Sequence, residues 1–467
     1  MKQAKRNNTL TEGPIFKTLV MLALPIMAST CFMSAYNITD MMWIGRLGSG
    51  SVAAVGAAGM FLWFSQGLAA LAKMGGQVLT AQSLGRKDEE AAGHYAAGAL
   101  KLAAVFGLLV AALCELLAPG LIGLFGLSDP GTNQAAALYL RITGGAVIFS
   151  YLNQVLTGLF MAHGDSGIPL LSNTLGLIAN MLLDAALVLG KFGFPRLEVA
   201  GAALATVTAQ VISTLVFLAA LCLRSGRIRI LPYLPLKAAP GVYRGILRIG
   251  LPAGLQTCMY SLISMVLTRL VAGFGDGAVA VQRVGAQIES LTWNAADGFG
   301  AAINAFAAQN YGACRPDRIR KGYGISALTA GVWGLLFTVL FLVFPGQISG
   351  LFFFEPDVKA LSVGYLMIVG LSEAFMAVEI VAGQAISGMG KTRVSSLISI
   401  ILTGLRIPLA LALGLTSLKL DGIWWTLTLT SMLKGLALHL AFFAVLKRFA
   451  LFASQDGSYS SQPSRKR

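Results

Sequence analysis

Charge is what this sequence has least of. Asp, Glu, Lys and Arg make up 12% of its 467 residues, about half the share of an ordinary soluble domain. That scarcity excludes a solvated globular fold of this length. The few charges are unbalanced, 35 Lys and Arg against 20 Asp and Glu, for a net of +15. The basic residues sit at the ends of apolar runs, so membrane topology explains the excess and no nucleic-acid partner is expected. Cysteine is scarce and odd in number: Cys31, Cys114, Cys222, Cys258 and Cys314. Without metal-like spacing they read as packing thiols. Three scattered histidines, His94, His163 and His439, and the lack of an HExxH leave no zinc-hydrolase motif and no triad. Neither an enzyme nor a cofactor is expected.

Apolar sequence is abundant. The chain is 56% hydrophobic, with a mean hydropathy of +0.73. Its apolar runs are long enough for the about 20 helical residues that cross a hydrocarbon core. A β-barrel would show short alternating strands instead. Runs bounded by Gly, Pro and charge give spans at 16–44, 51–80, 95–118, 132–162, 168–190, 198–223, 243–274, 278–309, 321–345, 358–388, 393–414 and 421–446. The opening "MKQAKRNN" resembles the basic region of a signal peptide. The run behind it is too long for one and lacks a small-residue cleavage site, so it reads as an uncleaved first span. Lys and Arg concentrate at the termini and in even-numbered connections, for example Arg86, Lys87, Arg224, Arg315, Arg318 and Lys391. The positive-inside rule then puts both termini in the cytoplasm of a multi-pass cell-membrane protein.

The chain repeats itself. "IFKTLVMLALP" (15–25) matches "VYRGILRIGLP" (242–252), "LGSGSVA" (47–53) matches "FGDGAVA" (274–280), and "LTAQSLG" (79–85) matches "FAAQNYG" (306–312), all at an offset of 227. "MAHGDSGIP" (161–169) and "SGMGKTRVS" (387–395) follow at 226. The expected fold is an all-α integral membrane protein. Its twelve transmembrane helices form two six-helix parallel repeats, an N-lobe and a C-lobe, around a central cavity. The expected boundaries are a cytoplasmic N-terminus at 1–15, the N-lobe at 16–223, a basic linker at 224–242, the C-lobe at 243–447 and a disordered tail at 448–467. No filter-like segment recurs between spans, which favours a transporter over a channel.

Twelve spans in two repeats, "LP" in spans 1 and 7, and "AQxxG" closing spans 2 and 8 resemble the multidrug and toxic compound extrusion (MATE) family. "YNITDMMWIGRLG" is similar to its span-1 signature, and "NMLLD" with "VAGAALAT" to its elements in spans 5 and 6. The chain is most similar to the DinF-like branch, where acids of the N-lobe carry coupling. The vibrio-type sodium branch has acids in spans 7 and 10; the aligned positions here are Tyr260 and Met376. The resemblance implies a secondary active exporter that exchanges small organic cations, often aromatic drugs, for H+ or Na+ by alternating access. The alternatives are a lipid-linked-precursor flippase of the wider superfamily and an exporter of one endogenous metabolite. A monomer in the lipid bilayer is expected.

Acids within spans are the candidate sites. Asn180 and Asp184 are four residues apart and share a helix face, as do Asn37 and Asp40 at a spacing of three. Asp40 with Asn180 and Asp184 makes an oxygen-rich cluster able to hold H+ or, as the one metal expected, Na+. Tyr139 and Thr206 match family positions that add hydroxyls to it. Asp40 also reads as a residue snorkelling to the outer interface, beside Trp43 and Arg46, and Asn180 as a plain interhelical hydrogen bond. In the C-lobe, Glu373, Glu379 and Asp297 are candidates for substrate contact or gating, with Tyr36 and Asn37 in the N-lobe. Glu379 reads equally as a partner of Arg269, Arg283 or Arg406, and Glu289 as a structural partner of Arg283. At offset 226 Asn180 falls on Arg406 and Asp184 on Ala410, so the ion cluster is expected in the N-lobe alone.

Overall fold

The computed structural model describes residues 10–45, 49–125, 129–188, 190, 193–224, 228–236 and 239–455; the side chains of 34–45, 49 and 454–455 lie outside that description. Among the described residues the regular structure is helical throughout, with no strand. The first half runs α1 (Ile15–Gly45), α2 (Ser49–Gly85), α3 (Glu89–Gly123), α4 (Pro130–Gly145), α5 (Val147–Ala162), α6 (Gly167–Leu187) and α7 (Glu198–Leu223). The second runs α8 (Val242–Ala272), α9 (Asp276–Gly312), α10 (Pro316–Val343), the short α11 (Pro345–Gly350), α12 (Pro356–Gly370), α13 (Glu373–Gly388), α14 (Thr392–Gly404), α15 (Arg406–Gly414) and α16 (Lys419–Gln455).

Among the described residues nine helical segments are long and apolar enough to cross a membrane, or 11 when two bent pairs are counted as single spans. The pairs are α4 with α5, bent by 45°, and α12 with α13, bent by 47°. The twelfth position is filled by α9, 37 residues long. It falls short on composition because Gln282, Arg283, Gln287, Glu289, Asn294 and Asp297 interrupt its apolar surface. The protein is thus an all-α integral membrane protein built from two six-span repeats. Its outward surface carries large apolar side chains such as Leu116, Leu215, Leu328 and Leu440, each more than half exposed, as a lipid-facing surface requires.

The repeat is visible in the backbone. α5 ends at Ala162 and α13 at Gly388, and the turn after each uses a left-handed glycine, Gly164 (φ 75°) and Gly390 (φ 76°), 226 residues apart. Helix starts use side-chain caps. Asp88 accepts from Ala91 N at 3.0 Å to open α3. Asp129 accepts from Thr132 N and Oγ1, both at 2.7 Å, to open α4. The Thr132 hydroxyl, then its backbone N–H, hold the Asp129 carboxyl below its ordinary range.

Two compact units divide the chain, one with Leu24–Leu84 and Asp88–Cys258, the other with Thr9–Ala23, Gly85–Lys87 and Met259–Arg467. Each therefore takes in the start of the other half's first span. The division in α1 falls next to Pro25, where a backbone donor is missing, and that in α8 six residues beyond Pro252. In the first unit α8 packs tightly on α2: a Cβ on Gly250 would lie 2.0 Å from Leu71 O. The core of that unit is rich in alanine, including Ala96, Ala99, Ala103 and Ala203. Small residues let membrane helices approach closely and gain dispersion contacts. The core of the second unit is bulkier, with Ile263, Leu267, Phe341, Tyr365 and Trp424.

Candidate functional site

The first unit brings Asn180, Asp184 and Tyr139 into its interior, 2%, 1% and 7% exposed, and leaves Thr206 half-buried. α6 carries the first two, α4 Tyr139 and α7 Thr206. The four residues are each engaged by a neighbour. Reciprocal hydrogen bonds fix α6 against α7: Ser172 Oγ donates to Ser213 O at 2.9 Å, and Ser213 Oγ to Ser172 O at 3.1 Å. Gly176 permits this approach, since a Cβ there would lie 2.2 Å from Ser213 Oγ. One turn deeper along the same face lies Asn180.

The side chains of Tyr36, Asn37 and Asp40 lie outside the described residues, although their backbone belongs to α1. The register of α1 is still fixed. Asn173 Nδ2 donates to Ser29 Oγ at 2.7 Å, joining α6 to α1. Position 40 lies eleven residues beyond Ser29, and Asp184 eleven beyond Asn173. Eleven residues make about three turns. The two positions are thus equally far along their helices from that hydrogen bond.

The second unit holds a larger polar cluster than the sequence suggested. Glu289 on α9 accepts from the Tyr365 hydroxyl on α12. The expected Glu289–Arg283 pair is absent among the described residues, and Arg283 is exposed. α9 turns Glu289 inward and Arg283, six residues earlier, away. Arg406, 8% exposed, acts on Glu289 electrostatically and donates to Thr430 Oγ1 and Ser431 Oγ on α16, both at 2.9 Å. Glu373, the first residue of α13, is fully buried at the α12–α13 break. Glu379 is paired, but with none of the three arginines considered: Lys434 Nζ donates to its Oε1 at 2.8 Å. Asp297 is half-buried and engaged by a neighbour.

Sequence reasoning missed Tyr365, Arg406 as a hydrogen-bond centre, and Lys434. Two signals were present. Tyr139 and Tyr365 are 226 residues apart, the offset of the repeat, and both are buried. Lys434 lies in the middle of a span, where an ammonium needs an acid within reach.

The MatE family model matches this chain twice, at residues 25–186 and 252–412, so the matches begin 227 residues apart and end 226 apart. A relative from Thermotoga maritima, "Probable multidrug resistance protein NorM", is 27% identical over 417 residues, covering 88% of each chain. The Escherichia coli "DNA damage-inducible protein F" is 28% identical over 428 residues, covering 90% of this chain and 91% of its own. Among solved structures, a MOP superfamily transporter from Pyrococcus furiosus superposes with a TM-score of 0.87. It is 22% identical and covers 96% of this chain and 99% of its own.

Proposed function

The chain belongs to the MatE family, and from that premise we propose that it exports small organic cations, drugs included, in exchange for H+ or Na+ by alternating access. It is a membrane transporter, not an enzyme. The observation that carries the coupling part is the burial of Asp184 and Asn180 on one face of α6, a helix that Asn173 ties to α1 through Ser29. Two carboxylates in one dry site do not both stay ionised without a partner. A proton or a sodium ion relieves them, and opening the site to water on one side of the membrane and then the other makes the ion a driver. Tyr139 and Thr206 supply hydroxyls that complete the oxygen set. Both termini lie in the cytoplasm in this reading, with the basic connections on that side.

The substrate class is supported by the relatives' names, the Thermotoga protein being named for multidrug resistance, and by the acids available to a cation. Dye uptake into inside-out vesicles tests the proposal, with a pH gradient and a sodium gradient imposed separately. Export driven by one of them, lost in Asp184→Asn, is the expected result. Export that ignores both gradients would overturn it.

A further inference from the structure

The segments that lead into α1 and α8 are held in opposite ways. Residues 10–13 form a strap on the corner between α9 and α10, within the second unit. The corner grips their backbone through polar groups. Leu10 N donates to Gln309 Oε1 at 2.9 Å, and Leu10 O accepts from Asn310 Nδ2 at 3.1 Å. Arg315 donates to Thr11 O at 2.7 Å, and Arg318 reaches the carbonyls of Leu10, Glu12 and Gly13 at between 3.2 and 3.4 Å. Leu10 is buried, whereas Glu12 and Gly13 are exposed. Gly13 turns the chain toward α1 with a φ of 79°, and a Cβ there would meet nothing within 4 Å. The glycine therefore serves the backbone turn and not packing.

Residues 228–236, on the way to α8, lie on α3 within the first unit. Ile228 and Ile230 are each 1% exposed. The Tyr233 ring fills the space that Gly93 leaves, where a Cβ would lie 2.3 Å from the ring, and it meets His94 edge-on at 4.9 Å between ring centroids. Lys101 Nζ donates to Leu236 O. Undocking this linker would return two isoleucines and a tyrosine ring to water, at the full hydrophobic cost. Undocking the strap would return one leucine, together with carbonyls and guanidinium groups that water solvates nearly as well as they satisfy each other. The strap is the segment poised to let go.

The clasp is not inherited from the repeat. At offset 227 Arg315 falls on Asp88, which caps α3, and Arg318 falls on Ala91. Neither guanidinium has a counterpart in the first half. The strap also sits where it can matter. It runs into α1, whose start up to Ala23 belongs to the second unit and whose remainder from Leu24 belongs to the first. We propose that residues 10–13 are a releasable latch: they stay clasped in one access state and must leave the α9–α10 corner for the protein to pass into the other, whereas residues 228–236 stay docked throughout the cycle. The inference rests on the alternating-access reading, and one arm of its test needs no transport.

Two photo-crosslinking variants of the full chain test it, Glu12→p-benzoylphenylalanine in the strap and Leu236→p-benzoylphenylalanine in the linker; both native side chains are exposed. Each variant should take up dye into inside-out vesicles before illumination. Mass spectrometry then maps the crosslinks, from position 12 to the α9–α10 corner and from position 236 to α3. The strap-linked protein should lose uptake in proportion to its crosslinked fraction, and the linker-linked protein should keep it. Uptake that survives complete strap crosslinking overturns the latch, and so does equal loss in both variants. Hydrogen exchange of the wild-type protein in lipid needs neither variant. The Leu10 amide should be about tenfold less protected than the amides of Ile228 and Tyr233, which donate to Arg224 O at 2.9 Å and Ile230 O at 3.0 Å. Equal protection overturns the proposal even where a variant fails to fold. A wild type that takes up no dye under either gradient counts against the transport reading, and the exchange difference then still decides whether the strap lets go.

Discussion

Asn173 and Ser29 are joined by a 2.7 Å hydrogen bond between α6 and α1, and Asp184 lies about three turns beyond Asn173 on α6. Asp184 is the first residue to test. Asp184→Asn keeps the shape of a side chain that is 1% exposed and removes the group that titrates. Membrane abundance should stay near wild type while gradient-driven efflux falls to background. Drug resistance at the wild-type level, with matched expression, would count against a coupling role.

Position 40 should behave as the partner of Asp184. If both carboxylates serve one ion, removing either stops the same step. Asp40→Asn/Asp184→Asn should then export no worse than the worse single variant, a non-additive outcome. Additive losses would separate the two residues and return Asp40 to the interfacial role that Trp43 and Arg46 beside it also suit.

The helices were legible because apolar runs of this length have few alternatives, and the repeat because one offset held across separate motifs. The shared burial of Asp184 and Asn180 was legible because residues four apart inside a span lie on one helix face. The C-terminal cluster was not, because each member sits on a different helix. Glu289, Tyr365, Glu373, Arg406 and Lys434 come from α9, α12, α13, α15 and α16. Sequence spacing cannot pair residues so far apart, and the three arginines weighed for Glu379 left out the lysine that holds it. The break before Glu373 was also hidden, since Gly370, which ends α12, looks like the many glycines that sit inside unbroken spans.

The start of the chain should depend on Arg318. Its guanidinium donates to the carbonyls of Gly13 at 3.2 Å, Glu12 at 3.3 Å and Leu10 at 3.4 Å. Arg315 adds Thr11 O at 2.7 Å, and Asn310 Nδ2 adds Leu10 O at 3.1 Å. A lysine cannot reproduce the planar fork. Arg318→Lys should therefore expose residues 10–13 to protease faster than in wild type, and Arg318→Ala faster still. Equal cleavage rates in all three proteins would show that the clasp contributes nothing.

Gly250 should tolerate nothing larger than hydrogen. A Cβ at this position would meet Leu71 O at 2.0 Å, a backbone atom that cannot rotate away. Overpacking of this kind costs about 1–3 kcal/mol. Gly250→Ala should lower the thermal midpoint in detergent and Gly250→Val should lower it further. An unchanged midpoint in the valine variant would mean that α2 and α8 separate easily.

Glu379 now has a partner, and that changes what its substitution should do. The Lys434–Glu379 side chains are 6% and 14% exposed, so each ion is costly without the other. Removing one member of a buried pair costs about 3–5 kcal/mol, whereas replacing both with apolar or neutral groups can be nearly neutral. Glu379→Gln alone should lose thermal stability because it strands the ammonium beside Arg406, which already acts on Lys434. Glu379→Gln/Lys434→Met should recover most of the loss. Efflux separates this from a direct role in substrate binding. If the pair is structural, the double variant exports each drug with wild-type preference once abundance is matched. If Glu379 contacts cationic drugs, stability returns in the double variant but selectivity does not. A single Glu379→Gln variant as stable as wild type would refute the ion pair's structural weight and leave the substrate reading standing alone.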